Sequence, residues 1–358
     1  MQIKKNLHII ITVSVAFLVL YAFFAARSLS HELQLTPQWT TSIFQTPQEK
    51  NDPSQIQLPF RLGQNMGYFT TDGQITLMES FPFQAAISTT YRTTYAPDSI
   101  RIPVYQLYSD RQGISDFHIE EAGFPYICDD RIYILTPGGY GLSQYTKARR
   151  LWQFEHSAPI TTISSTPSGT AVGYADGMIF IFSATGELLQ TFEPGGSTYP
   201  IILGTALSPS ASQLACVSGI DQQRFVLTQQ RNGVNKVVFH TYLEGNLREP
   251  VLVQFSQDES KVFYSSAIGI GIVDCTTFAN TTIPLKGKVL SIQESHHNNL
   301  IAVLTKDKNR YNIYLMEMSG TFIGSFGFQA DSAFITIEDG DLFVGRDTFI
   351  SKINLDIK

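Results

Sequence analysis

Short runs of alternating apolar and polar residues recur along most of the chain, separated by turns rich in Ser, Pro, Asp, Asn and Gly. The clearest copies of a strand, turn and strand read ITTISSTPSGTAVGY, GTALSPSASQLACVS, VLVQFSQDESKVFYS and VLSIQESHHNNLIAVL. Anchored on Pro167, Pro209, Gln257 and His296, their spacings are 42, 48 and 39 residues. An apolar period of two predicts strands, and a spacing of about 45 residues predicts an internal structural repeat.

Further strands extend each unit. A second turn and a third strand appear in FTTDGQITLM, YICDDRIYIL, VGYADGMIFIF, LTKDKNRYNIYL and TIEDGDLFVG. Asp-Gly between alternating apolar residues is a strong hairpin signal. A fourth strand follows in ARRLWQFEH, TGELLQTFEP and SGTFIGSFGF.

These units predict an all-β fold, a β-propeller of seven four-stranded antiparallel blades. The blades are expected at 58–110, 115–157, 158–195, 198–248, 249–285, 286–327 and 328–358. The last has room for three strands, and LTPQWTTSIF at 35–44 has the pattern of the missing outer strand. Pairing of the two chain ends would close the ring and remove exposed sheet edges. The alternative is that 27–57 is only a tether.

The N-terminal region predicts a membrane anchor. Residues 7–26 form a run of twenty residues without Lys, Arg, Asp or Glu, long enough to cross a bilayer as a helix. A cleaved signal peptide is the alternative, but Phe23 and Phe24 stand where a cleavage site needs small residues. Lys4 and Lys5 before the run, against Arg27 close after it, favour a cytoplasmic N-terminus.

The predicted organisation is therefore a cytoplasmic segment at 1–6, a transmembrane helix at 7–26, a linker at 27–57 with the possible closing strand, and a propeller at 58–358. This arrangement locates the protein in the cytoplasmic (inner) membrane as a single-pass protein, with the propeller extracytoplasmic or periplasmic.

Composition narrows the class of protein. Charged residues are 16 % of the chain, against about 25 % in a typical soluble domain. The 25 Phe and 16 Tyr favour strands over charged helical bundles. The net charge of −6 argues against nucleic acid as a partner, because binding to phosphates requires a basic face.

The blades resemble the WD-repeat-like and quinoprotein-like propeller superfamilies over nearly all the chain beyond residue 26. LWQFEHSAPI at 151–160 is similar to the connection between blades in quinoprotein-like propellers, as in extracytoplasmic propellers of outer-membrane assembly. The Gly-His and Trp-Asp dipeptides of WD repeats are absent, and Trp39 and Trp152 are the only tryptophans. The Gly-Trp docking pattern of quinoproteins therefore does not repeat, and we expect no quinone or other cofactor.

No residue is nominated as catalytic, cofactor-binding or metal-binding. The chain has no GxSxG, HExxH, P-loop or DxDxDG pattern. His296-His297 and Asp129-Asp130 both fall where turns are predicted, and turn residues are usually solvated. Cys128, Cys216 and Cys275 lie in apolar runs without metal or disulfide spacing, which predicts buried thiols.

Other polar residues are assigned ordinary surface roles. Lys147, Arg149 and Arg150 form a basic run next to a predicted outer strand, where cations discourage sheet-to-sheet association. The three histidines His118, His156 and His240 fall in separate units with no shared motif.

One stretch departs from the blade pattern. Residues 86–117 enlarge the first predicted blade and are rich in Tyr and Arg, which are enriched at interface hot spots. The candidate partner-binding residues are Tyr91, Arg92, Tyr95, Arg101, Tyr105, Tyr108 and Arg111. The alternative is an irregular excursion between strands with no binding role.

The sequence therefore predicts an interaction or scaffold module that binds other proteins of the cell envelope and holds to the membrane through 7–26. A rigid ring with variable loops suits recognition. Two alternatives stay open, a propeller hydrolase or lyase with its site at the central channel, and a sensor of small ligands. At least three converging ionisable side chains at the channel mouth would favour the enzyme. The oligomeric state is not predicted.

Overall fold

The computed structural model describes residues 13–17, 21, 33–46, 56–96, 104–108, 115–295 and 297–357. Residues 13–17 and 21 are helical, and the regular elements from residue 33 onward are β-strands. In this part of the chain no helix is both long enough and apolar enough to cross a membrane. The expected span at 7–26 falls mostly outside the described residues, so it stays a prediction.

The described strands form seven sheets of three or four strands and two additional hairpins. The first strand is β1 (Leu33–Ser42). Blade 1 comprises β2 (Gln57–Leu62), β3 (Asn65–Thr70) and β4 (Ile75–Ser80). The two hairpins comprise β5 (Gln84–Ile87) with β6 (Arg92–Tyr95) and β7 (Val104–Leu107) with β8 (Phe117–Glu120).

The next three blades have four strands each. Blade 2 comprises β9 (Phe124–Cys128), β10 (Arg131–Leu135), β11 (Gly141–Thr146) and β12 (Arg149–Glu155). Blade 3 comprises β13 (Ile160–Thr166), β14 (Gly169–Tyr174), β15 (Ile179–Ser183) and β16 (Leu188–Phe192). Blade 4 comprises β17 (Ile202–Leu207), β18 (Gln213–Ser218), β19 (Arg224–Arg231) and β20 (Val234–Tyr242).

The last three blades complete the set. Blade 5 comprises β21 (Val253–Phe255), β22 (Lys261–Ser265), β23 (Gly269–Asp274) and β24 (Asn280–Pro284). Blade 6 comprises β25 (Lys288–Ser295), β26 (Leu300–Asp307), β27 (Arg310–Glu317) and β28 (Phe322–Gln329). Blade 7 comprises β29 (Ala333–Glu338), β30 (Asp341–Arg346) and β31 (Phe349–Ile357), with β1 as its fourth strand. The predicted all-β propeller with seven blades is thus confirmed, although blade 1 has three strands.

The core lies between blades, and this position explains the pattern of apolar residues. In blade 3, β14 is buried along its whole length, whereas β16 at the outer edge is half exposed. Ala171 and Ile181 of blade 3 pack in one cluster with Leu214 and Val226 of blade 4. A middle strand covered by a neighbouring blade on each face needs apolar residues throughout, and an outer strand alternates.

The three cysteines are free, and the predicted burial is confirmed for two of them. Cys216 and Cys275 are buried, and Cys128 is half-buried. Burial raises the pKa of Cys216 and of Cys275 to about 12, so both thiols stay protonated at neutral pH.

The two hairpins between blades 1 and 2 adjoin one another. The backbone N–H of Arg92 donates to the Tyr108 carbonyl at 3.0 Å, and the N–H of Tyr108 donates to the Arg92 carbonyl at 3.1 Å. This bridge brings β6 next to β7, and β5 packs against both β2 and β9. The hairpins therefore form a smaller sheet in the ring between blades 1 and 2, called here the interposed unit (84–120).

The interposed unit corrects two expectations. The first predicted blade, 58–110, contains blade 1 and most of this unit, and blade 2 begins at Phe124 rather than at 115. The stretch 86–117 is not an irregular excursion, because its described residues include regular antiparallel strands. The sequence missed these strands because each has four residues and because β6 buries the polar residues Arg92 and Thr93.

The ring closes through pairing of the first and last described strands. Strand β1 pairs antiparallel with β31 from Leu33 opposite Ile357 to Ser42 opposite Phe349, with an irregularity between Pro37 and Trp39. The structure thus places a strand where the sequence predicted the closing strand at 35–44. The ring centres of Trp39 and Phe343 are 5.9 Å apart, so contact between these side chains adds to the backbone pairing.

Antiparallel connectivity gives the ring two different faces. Turns joining the first strand to the second and the third to the fourth lie on one side, called here the hairpin face, with 147–148 and 232–233 as examples. Connections between blades, such as 156–159 and 243–252, lie on the opposite side, called here the crossover face. The turns that join the second strand to the third, such as 308–309, lie on that face too. Gly233 follows Asn232 with φ of 78° and 55°, the left-handed pair that a two-residue hairpin turn requires.

Candidate partner-binding surface

Two of the predicted partner-binding residues are inside the protein. Arg92 is 0 % exposed and Tyr105 is 1 % exposed. The Arg92 guanidinium donates to Glu79 of β4 at 2.9 Å and 3.2 Å and lies 4.9 Å from the centre of the Tyr108 ring. The Arg92 side chain thus fastens the interposed unit to blade 1, whereas the Tyr105 hydroxyl donates to the Gly123 carbonyl beside blade 2. Neither side chain therefore offers contact to a partner.

The other described candidates are half-buried. Tyr91 packs edge-on against Phe117 with the ring centres 5.6 Å apart, and Tyr95 packs edge-on against Tyr105 at 6.2 Å. Burial raises the pKa of both Tyr91 and Tyr95 above the ordinary tyrosine value. Tyr91, Tyr95 and Tyr108 thus belong to one unit and keep partial exposure.

Arg101 and Arg111 lie outside the described residues, so their part in the surface stays a prediction.

The remaining polar candidates from the sequence do not assemble into one site. His118 lies 3.8 Å from Glu120 of its own strand, whereas His156 contacts Asp176 of blade 3 at 2.6 Å. His240 packs on Tyr242 of the same strand, with ring centres 6.3 Å apart.

The predicted turn at Asp129-Asp130 is confirmed. The two carboxylates lie in the turn between β9 and β10, and they contact Arg131 at 3.5 Å and 3.2 Å. His296 lies outside the described residues, and His297 is in a turn.

One connection on the crossover face, between blades 4 and 5, is held in place by hydrogen bonds from a buried side chain. Ten residues, 243–252, join β20 of blade 4 to β21 of blade 5. The buried amide of Gln223 donates to the Gly219 carbonyl at 3.1 Å and to the Leu247 carbonyl at 3.0 Å, and its oxygen accepts from the Leu247 N–H at 3.3 Å. One side chain therefore joins this connection, called here the 4–5 crossover, to the turn before β19.

Backbone bonds fix both ends of the 4–5 crossover. The N–H of Leu243 donates to the Gln223 carbonyl at 2.8 Å, and the N–H of Val251 donates to the Leu203 carbonyl at 2.9 Å. The Asn246 amide donates to the Asp221 carbonyl at 3.1 Å. Because these hydrogen bonds hold the crossover to blade 4 along its length, it can present a fixed shape to solvent.

Three cavities adjoin this crossover. The largest, about 510 Å³, is lined by residues that include Asp221, Tyr242 and Asn246. A second cavity of about 350 Å³ shares Tyr242 and reaches Tyr264 and other residues of blade 5. A third, of about 240 Å³, lies on the side toward blade 6 and includes Leu247 and Lys288 in its lining.

Exposed tyrosines and fixed charges mark the same region. Tyr199 is 63 % exposed and Tyr242 is 55 % exposed. Ser197 donates a hydrogen bond to the Asp221 carboxylate and the Thr198 N–H donates another at 3.2 Å, which holds the pKa of Asp221 well below its ordinary value. The Asp221 carboxylate therefore stays charged through the physiological range.

An ion pair lies nearby on this face. Lys288 Nζ contacts Glu249 at 2.7 Å, which joins the 4–5 crossover to blade 6. The region thus combines exposed aromatic rings, amide groups and paired charges, a mixture that suits binding of a protein segment.

Sequence reasoning missed this surface. The segment LEGNLREP at 243–250 carries no named motif and was divided between the blades predicted at 198–248 and 249–285. The length of the connection could have indicated a binding surface. The connection at 243–252 has ten residues, whereas the connection between blades 2 and 3 has four. A long connection between regular blades is a common location of binding residues.

Comparison with known proteins gives the family. The model of a family described as beta-propeller protein matches residues 1–358. The chain belongs to this β-propeller family. An uncharacterized protein of Treponema pallidum (strain Nichols) is 30 % identical over 365 residues, which covers 99 % of this chain and 96 % of that protein.

Solved structures share the fold of this β-propeller. BamB from Moraxella catarrhalis matches with a TM-score of 0.61 and 13 % identity, over 90 % of this chain and 100 % of that one. The computationally designed Ika8 protein matches with a TM-score of 0.61 and 12 % identity, over 88 % and 99 % of the two chains. At these identities the likeness shows the fold alone.

A cavity on the hairpin face of this β-propeller comes nearest to the ionisable cluster that an enzyme would need. It measures about 280 Å³, and its lining includes Glu294, His297, Glu338 and Asp339. Burial and the neighbouring Asp339 carboxylate raise the pKa of Glu338. The Glu294 carboxylate accepts from the Gln257 N–H at 3.0 Å, which joins β25 of blade 6 to the first turn of blade 5.

Metal binding finds no support in the described residues, in which no group of three His, Cys, Asp or Glu is arranged to hold a metal ion.

Proposed function

We propose that this β-propeller is a membrane-anchored, extracytoplasmic interaction module that binds a protein partner of the cell envelope on its crossover face. The observation that carries the proposal is the group of three adjoining cavities along the 4–5 crossover, beside the exposed rings of Tyr199 and Tyr242. Tyrosine gives a large contact area at a low entropic cost, and a crossover fixed by Gln223 loses little freedom on binding.

The membrane part of the proposal is supported by the apolar run at 7–26 and by the basic residues that precede it. The likeness of the fold to BamB agrees with an envelope role, although that likeness concerns the fold alone. A propeller enzyme is the second candidate, because Glu294, His297, Glu338 and Asp339 line one cavity on the hairpin face.

The test is chemical cross-linking of the full chain in intact membranes, with Tyr199→Ala and Tyr242→Ala combined in one variant. Phe322→Ala is the matched control, since Phe322 is 53 % exposed but begins β28 on the hairpin face. We expect the double variant to lose about tenfold or more of its cross-linked partner, as hot-spot tyrosines do. The control should keep the yield of the native chain.

Two outcomes would contradict the proposal. If the native chain, the double variant and the Phe322→Ala control gave equal yields of cross-linked partner, the crossover face would not be the binding surface. Release of the chain from membranes by alkaline extraction would contradict the anchor.

A further inference from the structure

The outer edges of blades 2, 3 and 4 carry a concentration of positive charge on the hairpin face. The relevant segments are the turns between the third and fourth strands with the residues beside them, 146–151, 183–189 and 230–237, called here the hairpin rim. Their exposed cations are Lys147, Arg149, Arg150, Arg231 and Lys236. Within these three segments Glu187 is the one carboxylate, so the rim is basic in a chain whose net charge is −6.

Exposed aliphatic side chains lie among these cations. Each of the following is between 39 % and 51 % exposed: Leu151, Leu188, Leu189, Val234 and Val237. Large apolar side chains on an outer strand are costly in water unless another surface covers them. The hairpin rim therefore has both an apolar and a cationic component.

Contacts between blades make the hairpin rim one continuous surface. Trp152 of β12 stacks on Phe182 of β15 with ring centres 4.9 Å apart, which joins blades 2 and 3. A Cβ added at Gly186 would clash with the Trp152 ring, so the turn of blade 3 packs directly on blade 2. The backbone N–H of Asn235 donates to the Gln190 side chain at 2.8 Å and joins blade 4 to blade 3.

We propose that the hairpin rim docks on an anionic phospholipid surface. Aliphatic side chains with Lys and Arg around them are the composition that partitions into the lipid headgroup region. Leu and Val are under-represented among hot spots of protein interfaces, where Tyr and Trp dominate, so the rim fits lipid better than a protein partner. The five cations complement the charge of anionic lipid.

The direction of the chain agrees with this orientation and rests on the proposed anchor. Strand β1 is the fourth strand of blade 7, so Leu33 at its start lies on the same face as the starts of β12, β16 and β20. The segment 27–32 between the expected span and β1 has six residues. Six extended residues reach about 20 Å, so an anchored ring would keep its hairpin face toward the bilayer.

The test is hydrogen–deuterium exchange of the full chain in vesicles of phosphatidylcholine alone and in vesicles with about one third phosphatidylglycerol. The rim peptides should exchange more slowly in the anionic vesicles, while the 4–5 crossover should not change. A variant that replaces four rim cations carries Lys147→Gln, Arg149→Gln, Arg150→Gln and Lys236→Gln. Each cation near an anionic surface favours its contact about fivefold, so this variant should lose the protection.

The matched control removes the same charge from the crossover face. It carries Lys286→Gln, Lys308→Gln, Arg310→Gln and Arg346→Gln, all at exposed positions. A further variant, Leu188→Gln with Leu189→Gln, keeps the rim charge and should also reduce protection, because lipid contact requires the apolar component. The control should retain the protection of the native chain.

Exchange at the rim that is equal in both lipids, or protection lost equally in the control, would overturn the lipid assignment. A chain without a membrane anchor would give a different result in a vesicle flotation experiment. The native chain would then bind only anionic vesicles and would dissociate from them at high salt.

Discussion

Arg92 shows what a residue type can and cannot reveal. The sequence nominated it for a binding surface because Arg is enriched at interfaces, and the structure places it in full burial against Glu79 and Tyr108. The carboxylate that accepts its hydrogen bonds stands thirteen residues earlier in the chain. The sequence shows that an arginine stands at position 92. It does not show that Glu79 is its partner, because that contact depends on how β4 and β6 pack in the folded protein.

We expect Arg92→Ala to lower the free energy of unfolding by about 3 kcal/mol, because the change leaves a cavity and removes the partner of Glu79. The measurement is chemical denaturation of the native chain and the variant. Arg149→Ala is the control, since Arg149 is exposed on an outer strand and its loss should change stability by less than about 0.5 kcal/mol. Similar stabilities for the native chain and Arg92→Ala would contradict the structural role.

Asp274 supplies a second prediction, on pH. It accepts from Lys261 Nζ at 2.5 Å and from the Thr277 N–H at 2.6 Å, and these bonds hold its pKa well below the ordinary carboxyl value. A lowered folded-state pKa contributes stability above the ordinary pKa that is lost as pH falls. We expect Asp274→Asn to cost about 1 kcal/mol at pH 7, allowing for solvent screening, and less at acid pH.

The measurement for Asp274 is the free energy of unfolding at several pH values. Glu187→Gln serves as the control, because Glu187 lies exposed in the turn before β16. If the native chain and Asp274→Asn differ by the same amount at every pH, the ionised hydrogen bond is not the source of the effect.

At the level of elements, the strands that could be predicted from the sequence are those joined by regular turns. Asp176-Gly177 and Asp339-Gly340 lie in turns between strands, and each Gly has a left-handed φ. The interposed unit was not predictable in the same way, because its described turn at 88–91 has no Asp-Gly pair and its strands bury Arg92 and Thr93. Burial of polar residues contradicts the alternation on which the sequence prediction depends.

The closing strand can be tested at this level with a designed disulfide. Thr40 of β1 lies opposite Ser351 of β31, with their hydroxyl oxygens 2.9 Å apart. We expect Thr40→Cys with Ser351→Cys to form a disulfide on oxidation, since directly opposed strand residues have suitable spacing. The closed loop is long, so the gain in unfolding free energy should be about 3–5 kcal/mol.

A shift in mobility on a non-reducing gel and the unfolding curve measure this result. Thr40→Cys alone is the control and should show neither change. A double variant whose new cysteines stay reduced under oxidising conditions would show that β1 does not close the ring.

At the level of the whole molecule, the two faces of the ring have different chemistry. The crossover face carries the three adjoining cavities, the exposed Tyr199 and Tyr242 and an ion pair, whereas the outer edge of the hairpin face in blades 2 to 4 carries cations and aliphatic side chains. The general fold and the positions of most blades could be predicted from periodicity. The candidate surface could not, because it depends on the ten-residue 4–5 crossover and on residues from blades 4, 5 and 6 that lie far apart in the chain.

The central claim is that the crossover face holds the protein partner. The most direct measurement places a photo-reactive amino acid at Tyr242 in one full-length chain and at Phe322 in another, followed by illumination of intact cells. We predict a discrete protein adduct from position 242 and none of that size from position 322. The same adduct from both positions, or from position 322 alone, would contradict the account.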